Sequence, residues 1–258
     1  DTLDRLAGSY EKTFKLKKKI QSAMMYPIML IILILGVGAF MLLWLVPQFT
    51  QNFASFGADL PPITVFVLGL SDALKAYWWL FLGILIAIIA VFSFLFKNNK
   101  QFHFGVYYVL LKTPIFGPVL QKAAIARMTR TLASLFSSSV PILNALTIVE
   151  KISANPIIEK VLREAKKSLE SGSSLAEPLE KSWVFPPLVT QMILIGEKTG
   201  SLDYMLEKVA EFYEDDVDRT VDALKSLIEP LMIVLLAGIV GFIVAAIMMP
   251  MLSLYEQI

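Results

Sequence analysis

Gly196-Glu197-Lys198-Thr199-Gly200 sets a lysine beside a hydroxyl side chain between two glycines, the residue types with which a backbone loop cradles phosphate. The spacing does not suit that task. A phosphate loop needs a longer run between its first glycine and the Gly-Lys-Ser/Thr, and a strand ahead of it, whereas this stretch follows a helical pattern. His103 is the sole histidine, which leaves little from which to build a metal cluster or a serine, histidine and aspartate triad. The chain has no cysteine, which excludes disulfides, thiolate metal sites and cysteine nucleophiles. These residues point to no catalytic, metal or cofactor-binding site and to no enzyme.

Two charged groups remain. Glu211, Glu214, Asp215, Asp216, Asp218 and Asp222 form an acidic run, and Lys12, Lys15, Lys17, Lys18 and Lys19 a basic cluster. Charge runs of this kind ordinarily keep a helix face solvated. Their positions suggest more. A shift of 203 positions, which takes Pro27 to Pro230, lays Lys12, Lys15 and Lys19 on Asp215, Asp218 and Asp222. Equivalent positions of opposite charge suit an interface between two half-domains, within one chain or between subunits.

The same shift aligns Leu3 with Leu206, Ala7 with Ala210, Tyr10 with Tyr213, Glu11 with Glu214, Gly38 with Gly241 and Pro47 with Pro250, without a gap. This is a parallel internal repeat, each copy a helix leading into a proline-marked apolar run. The second copy begins near Val119, so the first would begin about 84 positions ahead of Asp1. The first copy is therefore expected to be truncated at the N-terminus.

At 56% hydrophobic and 17% charged, the chain is too apolar for an ordinary soluble domain. Residues 28–46, 77–96 and 230–252 hold no Asp, Glu, Lys, Arg or His. Each is long enough to cross a bilayer, at roughly 28 Å or more. Charge-free spans argue against an ion-coupled permease, whose pathway is marked by ionisable groups inside the membrane. The lysines before the first span and Lys97 and Lys100 after the second place both on the cytoplasmic side. The net charge of +1 gives no argument for nucleic acid.

The expected organisation follows in order: 1–25, the last helix of a truncated cytoplasmic domain; 26–47, a first transmembrane helix; 48–76, an external loop; and 77–96, a second transmembrane helix. Then come a juxtamembrane connector at 97–118, a cytoplasmic helical domain at 119–229, a third transmembrane helix at 230–252 and a short external tail at 253–258. Within the cytoplasmic part, proline and asparagine starts and glycine stops divide the chain into six helices. Ser174-Leu-Ala-Glu177 fits a capping box. The fold class is all-α: three transmembrane helices and a cytoplasmic six-helix bundle.

Several stretches resemble one family. They are Ser139-Val-Pro-Ile-Leu-Asn-Ala-Leu146, Gly172-Ser-Ser-Leu175, Phe185-Pro-Pro-Leu-Val189, Gln191-Met-Ile-Leu-Ile-Gly-Glu-Lys-Thr-Gly-Ser-Leu-Asp203, Phe212-Tyr-Glu214 and Glu229-Pro230. Together the chain resembles the type II secretion F family, the inner-membrane platform proteins of type II secretion systems and type IV pilus machines. The resemblance implies a multi-pass protein of the bacterial inner membrane that acts as a homo-oligomer, with other inner-membrane assembly proteins as neighbours. It would couple a cytoplasmic assembly ATPase to insertion or extraction of pilin-like subunits, catalysing no reaction itself. Arg127, Arg130, Glu197, Lys198 and Thr199 are then surface candidates for partner contact, with Gly196 and Gly200 shaping the turn; capping and packing within the bundle is the alternative role. A membrane-tethered scaffold or signalling module would share this architecture and differ in its partners.

Overall fold

The computed structural model describes the backbone of residues 2–49, 61–114 and 116–255, and their side chains except those at 2–7, 9, 10, 13, 16, 17, 20, 23 and 251–255. The regular elements among the described residues are all helices, with no strand among them. In chain order the helices are α1 (Thr2–Phe40), which passes into a π-helical segment Met41–Leu45, α2 (Pro62–Asn98), α3 (Lys100–Lys112), α4 (Gly117–Ser137) and α5 (Ile142–Ile152). They are followed by α6 (Pro156–Glu170), α7 (Ala176–Glu180), α8 (Pro187–Thr199) and α9 (Leu202–Tyr255). The helices fall into two compact units, one of Asp1–Ala23 with Leu95–Leu224 and the other of Met24–Phe94 with Lys225–Ile258. Both α1 and α9 contribute residues to each.

The first unit is cut into helices by local signals that the sequence states openly. The Asn99 side chain accepts the amides of Gln101 at 2.9 Å and Phe102 at 3.1 Å, capping α3. Asn155 accepts the Ile157 amide at 2.9 Å, and Pro156 occupies the first turn, where its missing N–H costs nothing. Gly172, at φ +80°, ends α6. Along α6, Ile157, Ile158, Val161, Leu162 and Ala165 recur at helical spacing and are buried. They join Ile125, Leu132, Leu146, Leu175, Leu179, Ile193 and Leu206 in one core. Leu111 of α3 belongs to that core too. The segment expected as a connector at 97–118 is thus largely helix and packs with the helices that follow it.

The second unit is built from apolar helix. Among the described residues three stretches are long and apolar enough to cross a membrane: Met24–Phe49, Pro62–Asn98 and Leu202–Pro250. The middle one corrects the expected external loop at 48–76. Residues 62–76 are the opening turns of α2, because Pro61-Pro62 marks a helix start, with Pro62 at the first helical position. Thr64, Val67 and Ser71 then lie on one buried face. Positions 50–60 of the expected loop, and the tail at 256–258, lie outside the described residues. Pro230 does not end a helix either; it sits inside α9, as Pro27 sits inside α1.

The two buried hydroxyls have a definite task. Pro250 has no N–H, so the Ala246 carbonyl, four residues earlier, loses its α-helical i+4 donor. The Thr64 hydroxyl donates to that carbonyl at 2.6 Å. At the end of the first apolar stretch the ladder is in π register, since the Val46 amide bonds to the Met41 carbonyl. In that register the next amide, at position 47, would serve Leu42, but position 47 is proline. The Ser71 hydroxyl donates to the Leu42 carbonyl at 2.6 Å. Val46, Val67, Ile243, Ala246 and Ile247 close around these bonds.

Replacing Thr64 by Val keeps the shape and removes the donor, and should destabilise the folded protein by about 1 kcal/mol, whereas Thr64→Ser should cost less. The decisive comparison is the double variant. Pro250→Ala restores an N–H for the Ala246 carbonyl, so Thr64→Val should cost much less in that background. A double-mutant cycle on unfolding in mixed micelles that shows no coupling between the two positions would refute the assignment.

Candidate partner-binding surface

Of the residues expected to meet a partner, two are turned to the fold itself. Arg130 stands on α4 and is only 5% exposed, which corrects its expected surface position. Its Nε donates to Glu214 Oε1 at 2.8 Å and its Nη2 to Oε2 at 2.7 Å, a fork-to-fork pair. Nη1 lies 3.5 Å from a carboxylate oxygen of Glu207. Glu207 and Glu214 are two turns apart on one face of α9, which is how one guanidinium reaches both. Burial opposes the charge on Arg130; the hydrogen bonds and charge of Glu214, with Glu207 and Glu211 behind it, outweigh that and raise its pKa. The pair joins α4 to α9.

Glu197 is the second. Its carboxylate accepts the Leu175 amide at 2.6 Å and the Ser174 hydroxyl, while Ser174 Oγ accepts the Ala176 amide at 3.0 Å. A carboxylate from α8 thus takes up donors at the start of α7. The expected capping box between Ser174 and Glu177 does not form. Helix α7 begins one residue later than a box on Ser174 requires, with Leu175 as the flanking residue, and Glu177 instead pairs with Lys181 at 2.7 Å. That hydrogen bond, more than the charge of Lys181, lowers the Glu177 pKa.

The turn after Glu197 is shaped by its glycines. Gly200 has φ +71°, a left-handed conformation that favours glycine, and its N–H returns to the Gly196 carbonyl. A Cβ on Gly196 would stand 2.9 Å from the Leu202 Cα, so α8 and α9 approach closely only because Gly196 has none. Thr199 Oγ1 donates to the Ile195 carbonyl at 2.8 Å and lies 2.6 Å from Ser201 Oγ. Lys198 is left exposed beside it. Arg127 is exposed as well, at the rim of an apolar cavity of about 340 Å³ lined by Leu120, Ala124, Val149 and Ile152.

Among the described residues the charged faces meet through an ion pair at Lys19. Lys19 Nζ lies 2.7 Å from Asp218 and 3.8 Å from Asp222, and the hydrogen bond to Asp218 raises its pKa despite some desolvation. Both partners are substantially exposed, so screening keeps this contact worth little on its own. Lys15 pairs with Glu11 one turn away at 2.6 Å, Lys12 lines a polar hollow with Arg130, Asp203 and Glu207, and Asp215 is exposed. Sequence reading missed the pairing of Lys122 with Asp216 at 2.9 Å and of Arg163 with Glu150 at 2.7 Å. Neither leaves a local signal, because each joins different helices. Among the described residues no group of His, Asp or Glu could hold a metal ion.

Removing Arg130 leaves a carboxylate in a half-dry site, so Arg130→Met should cost about 3 kcal/mol, and the Arg130→Met, Glu214→Met pair distinctly less than the sum of the singles. Glu197→Ala should cost about 1–2 kcal/mol through the lost cap. Denaturant titration followed by circular dichroism measures both.

The family described as Type II secretion system (T2SS), protein F matches residues 1–47 and 128–250. The chain is 40% identical to the type IV pilus assembly protein PilC of Myxococcus xanthus, over 98% of this chain and 60% of the relative. It is 40% identical to PilC of Pseudomonas aeruginosa, over 98% of this chain and 67% of that protein. Type II secretion system protein F of Pseudomonas aeruginosa is 34% identical over 99% of this chain and 62% of its own length. The chain thus spans about three fifths to two thirds of the curated relatives it matches. With the family pattern matched in both apolar junctions and through most of the helical unit, the chain belongs to the type II secretion system protein F family.

Proposed function

We propose that this protein is an inner-membrane platform of a type IV pilus or type II secretion machine, coupling a cytoplasmic assembly ATPase to the insertion or extraction of pilin-like subunits. The observation that carries the reading is similarity along 98% of the chain to proteins named for type IV pilus assembly. Identity of 40% to those proteins against 34% to the secretion proteins supports the pilus machine. In this reading the first unit is a cytoplasmic helical bundle, the repeat supplies a second such bundle in longer relatives, and the protein works as a homo-oligomer beside other inner-membrane assembly proteins. The lysines flanking the spans support the orientation by the positive-inside rule.

The chemistry supports a mechanical role. Glu214, held by Arg130, lies on the same helix, α9, as the apolar run that ends at Pro250. A displacement of α4 would thus reach α9 through a charged clasp that resists sliding. Gly196–Gly200 adds a fixed turn that presents Lys198 outward, so Lys198 with Arg127 is the proposed ATPase contact, and Glu197 and Arg130 support the shape beneath it.

Lys198→Glu should leave the helical signal and the unfolding midpoint unchanged and reduce ATPase co-purification and pilus output several-fold. Unchanged binding and output would remove this turn from the contact. A pull-down of the unaltered protein holding neither an assembly ATPase nor pilin-like proteins would replace the platform reading with that of a membrane-tethered scaffold.

A further inference from the structure

Helix α3 has two faces. Phe104, Tyr107 and Leu111, at spacings of three and four, pack into the core of the first unit. On the other side Tyr108 and Val109 are exposed, Val109 at 63%. Trp183, 48% exposed, meets Tyr108 edge to face with ring centroids 5.7 Å apart. The Lys112 ammonium sits over aromatic faces, 4.7 Å from the Tyr108 ring and 5.7 Å from the Trp183 ring. The result is an outward apolar patch with a cation at its edge.

Two observations say what covers it. Helix α3 begins two residues after α2, a helix long and apolar enough to cross a membrane, comes to its end at Asn98. At about 1.5 Å per residue, the whole of α3 stays within about 20 Å of that end. The chain running through α3 is also basic: residues 97–149 include Lys97, Lys100 and Lys112 and contain no Asp or Glu, while Glu177 before Trp183 is paired with Lys181. Tryptophan and tyrosine with lysines alongside are the side chains that settle at a lipid headgroup layer, rings at the boundary and ammonium groups on the phosphates. We propose that the Tyr108, Val109, Lys112 and Trp183 face is a lipid-contact site that rests on anionic phospholipid headgroups. It anchors the first unit at the bilayer by a contact separate from the spanning helices.

The absence of cysteine makes the test clean, because a single Val109→Cys can carry an environment-sensitive fluorophore in the otherwise unaltered protein. Reconstituted in phosphatidylcholine vesicles containing phosphatidylglycerol, the labelled protein should shift to the blue and be quenched several-fold more by brominated lipid than by aqueous acrylamide. Phosphatidylcholine alone should reduce that quenching, and Lys112→Glu should abolish the difference between the two lipids. As a check free of labelling, a Trp44→Phe, Trp78→Phe, Trp79→Phe variant leaves Trp183 as the only indole and should give the same pattern. Quenching by acrylamide but not by brominated lipid would overturn the proposal in favour of a solvent-facing patch. Shielding from both quenchers would overturn it in favour of a protein partner, and equal lipid quenching in both vesicle types would overturn the anionic headgroup as the ligand.

Discussion

A proline near the end of an apolar span leaves one carbonyl without its helical donor, and hydrocarbon holds no water to replace it. This constraint decides how the membrane-type unit packs. Leu42 and Ala246 each present such a carbonyl, and Ser71 and Thr64 each bring a hydroxyl to one of them. Hydrophobic packing alone would not fix the register of three apolar helices, since lipid chains compete on nearly equal terms with leucine and isoleucine. A hydroxyl that must meet one carbonyl does fix it. The polar residues of α2 are therefore ordering elements, and their burial beside Val67 is the condition for their effect.

The other unit solves the analogous problem with charge. Arg130 is as buried as many core aliphatics, yet it keeps its proton because Glu214 engages it through two hydrogen bonds. Such a pair gives little net stability against an apolar substitute and a great deal of geometric specificity. The two units thus use different fixing devices for a physical reason. A charged clasp is tolerable where water reaches the rim, as at the half-exposed Glu207, and is expensive inside a bilayer, where a hydroxyl on a carbonyl suffices.

Much of this fold is legible in the sequence because its signals are local. Asn155 and Pro156 announce a helix start, Gly172 and Gly200 announce stops, and charge-free runs announce spans. The misreadings arise where a local signal had two meanings. Pro61-Pro62 marks a turn or the first position of a helix, and only the buried face of Thr64, Val67 and Ser71 selects the second. Ser174 and Glu177 match a capping box, but a carboxylate 22 residues away takes the amide of Leu175. Of the candidate surface, Lys198 and Arg127 were legible as exposed groups; the inward roles of Arg130 and Glu197 depend on partners in distant helices, which spacing cannot reveal.

Pro47 and Pro250 occupy equivalent positions under the 203-residue shift, yet their carbonyls are satisfied differently. Near Pro250 the carbonyl is the one four residues back, at Ala246; near Pro47 the π register moves it to the fifth, at Leu42. One helix, α2, has to answer both. Thr64 and Ser71 are seven residues apart and so share a face, which requires both orphan carbonyls to be presented to a single stripe. An α-helical ending at Pro47 would orphan Leu43 instead, displaced by about 100° around the helix axis. The π segment turns the carbonyl back toward Ser71. It is the local distortion that lets one stripe of α2 serve two sequence-equivalent prolines.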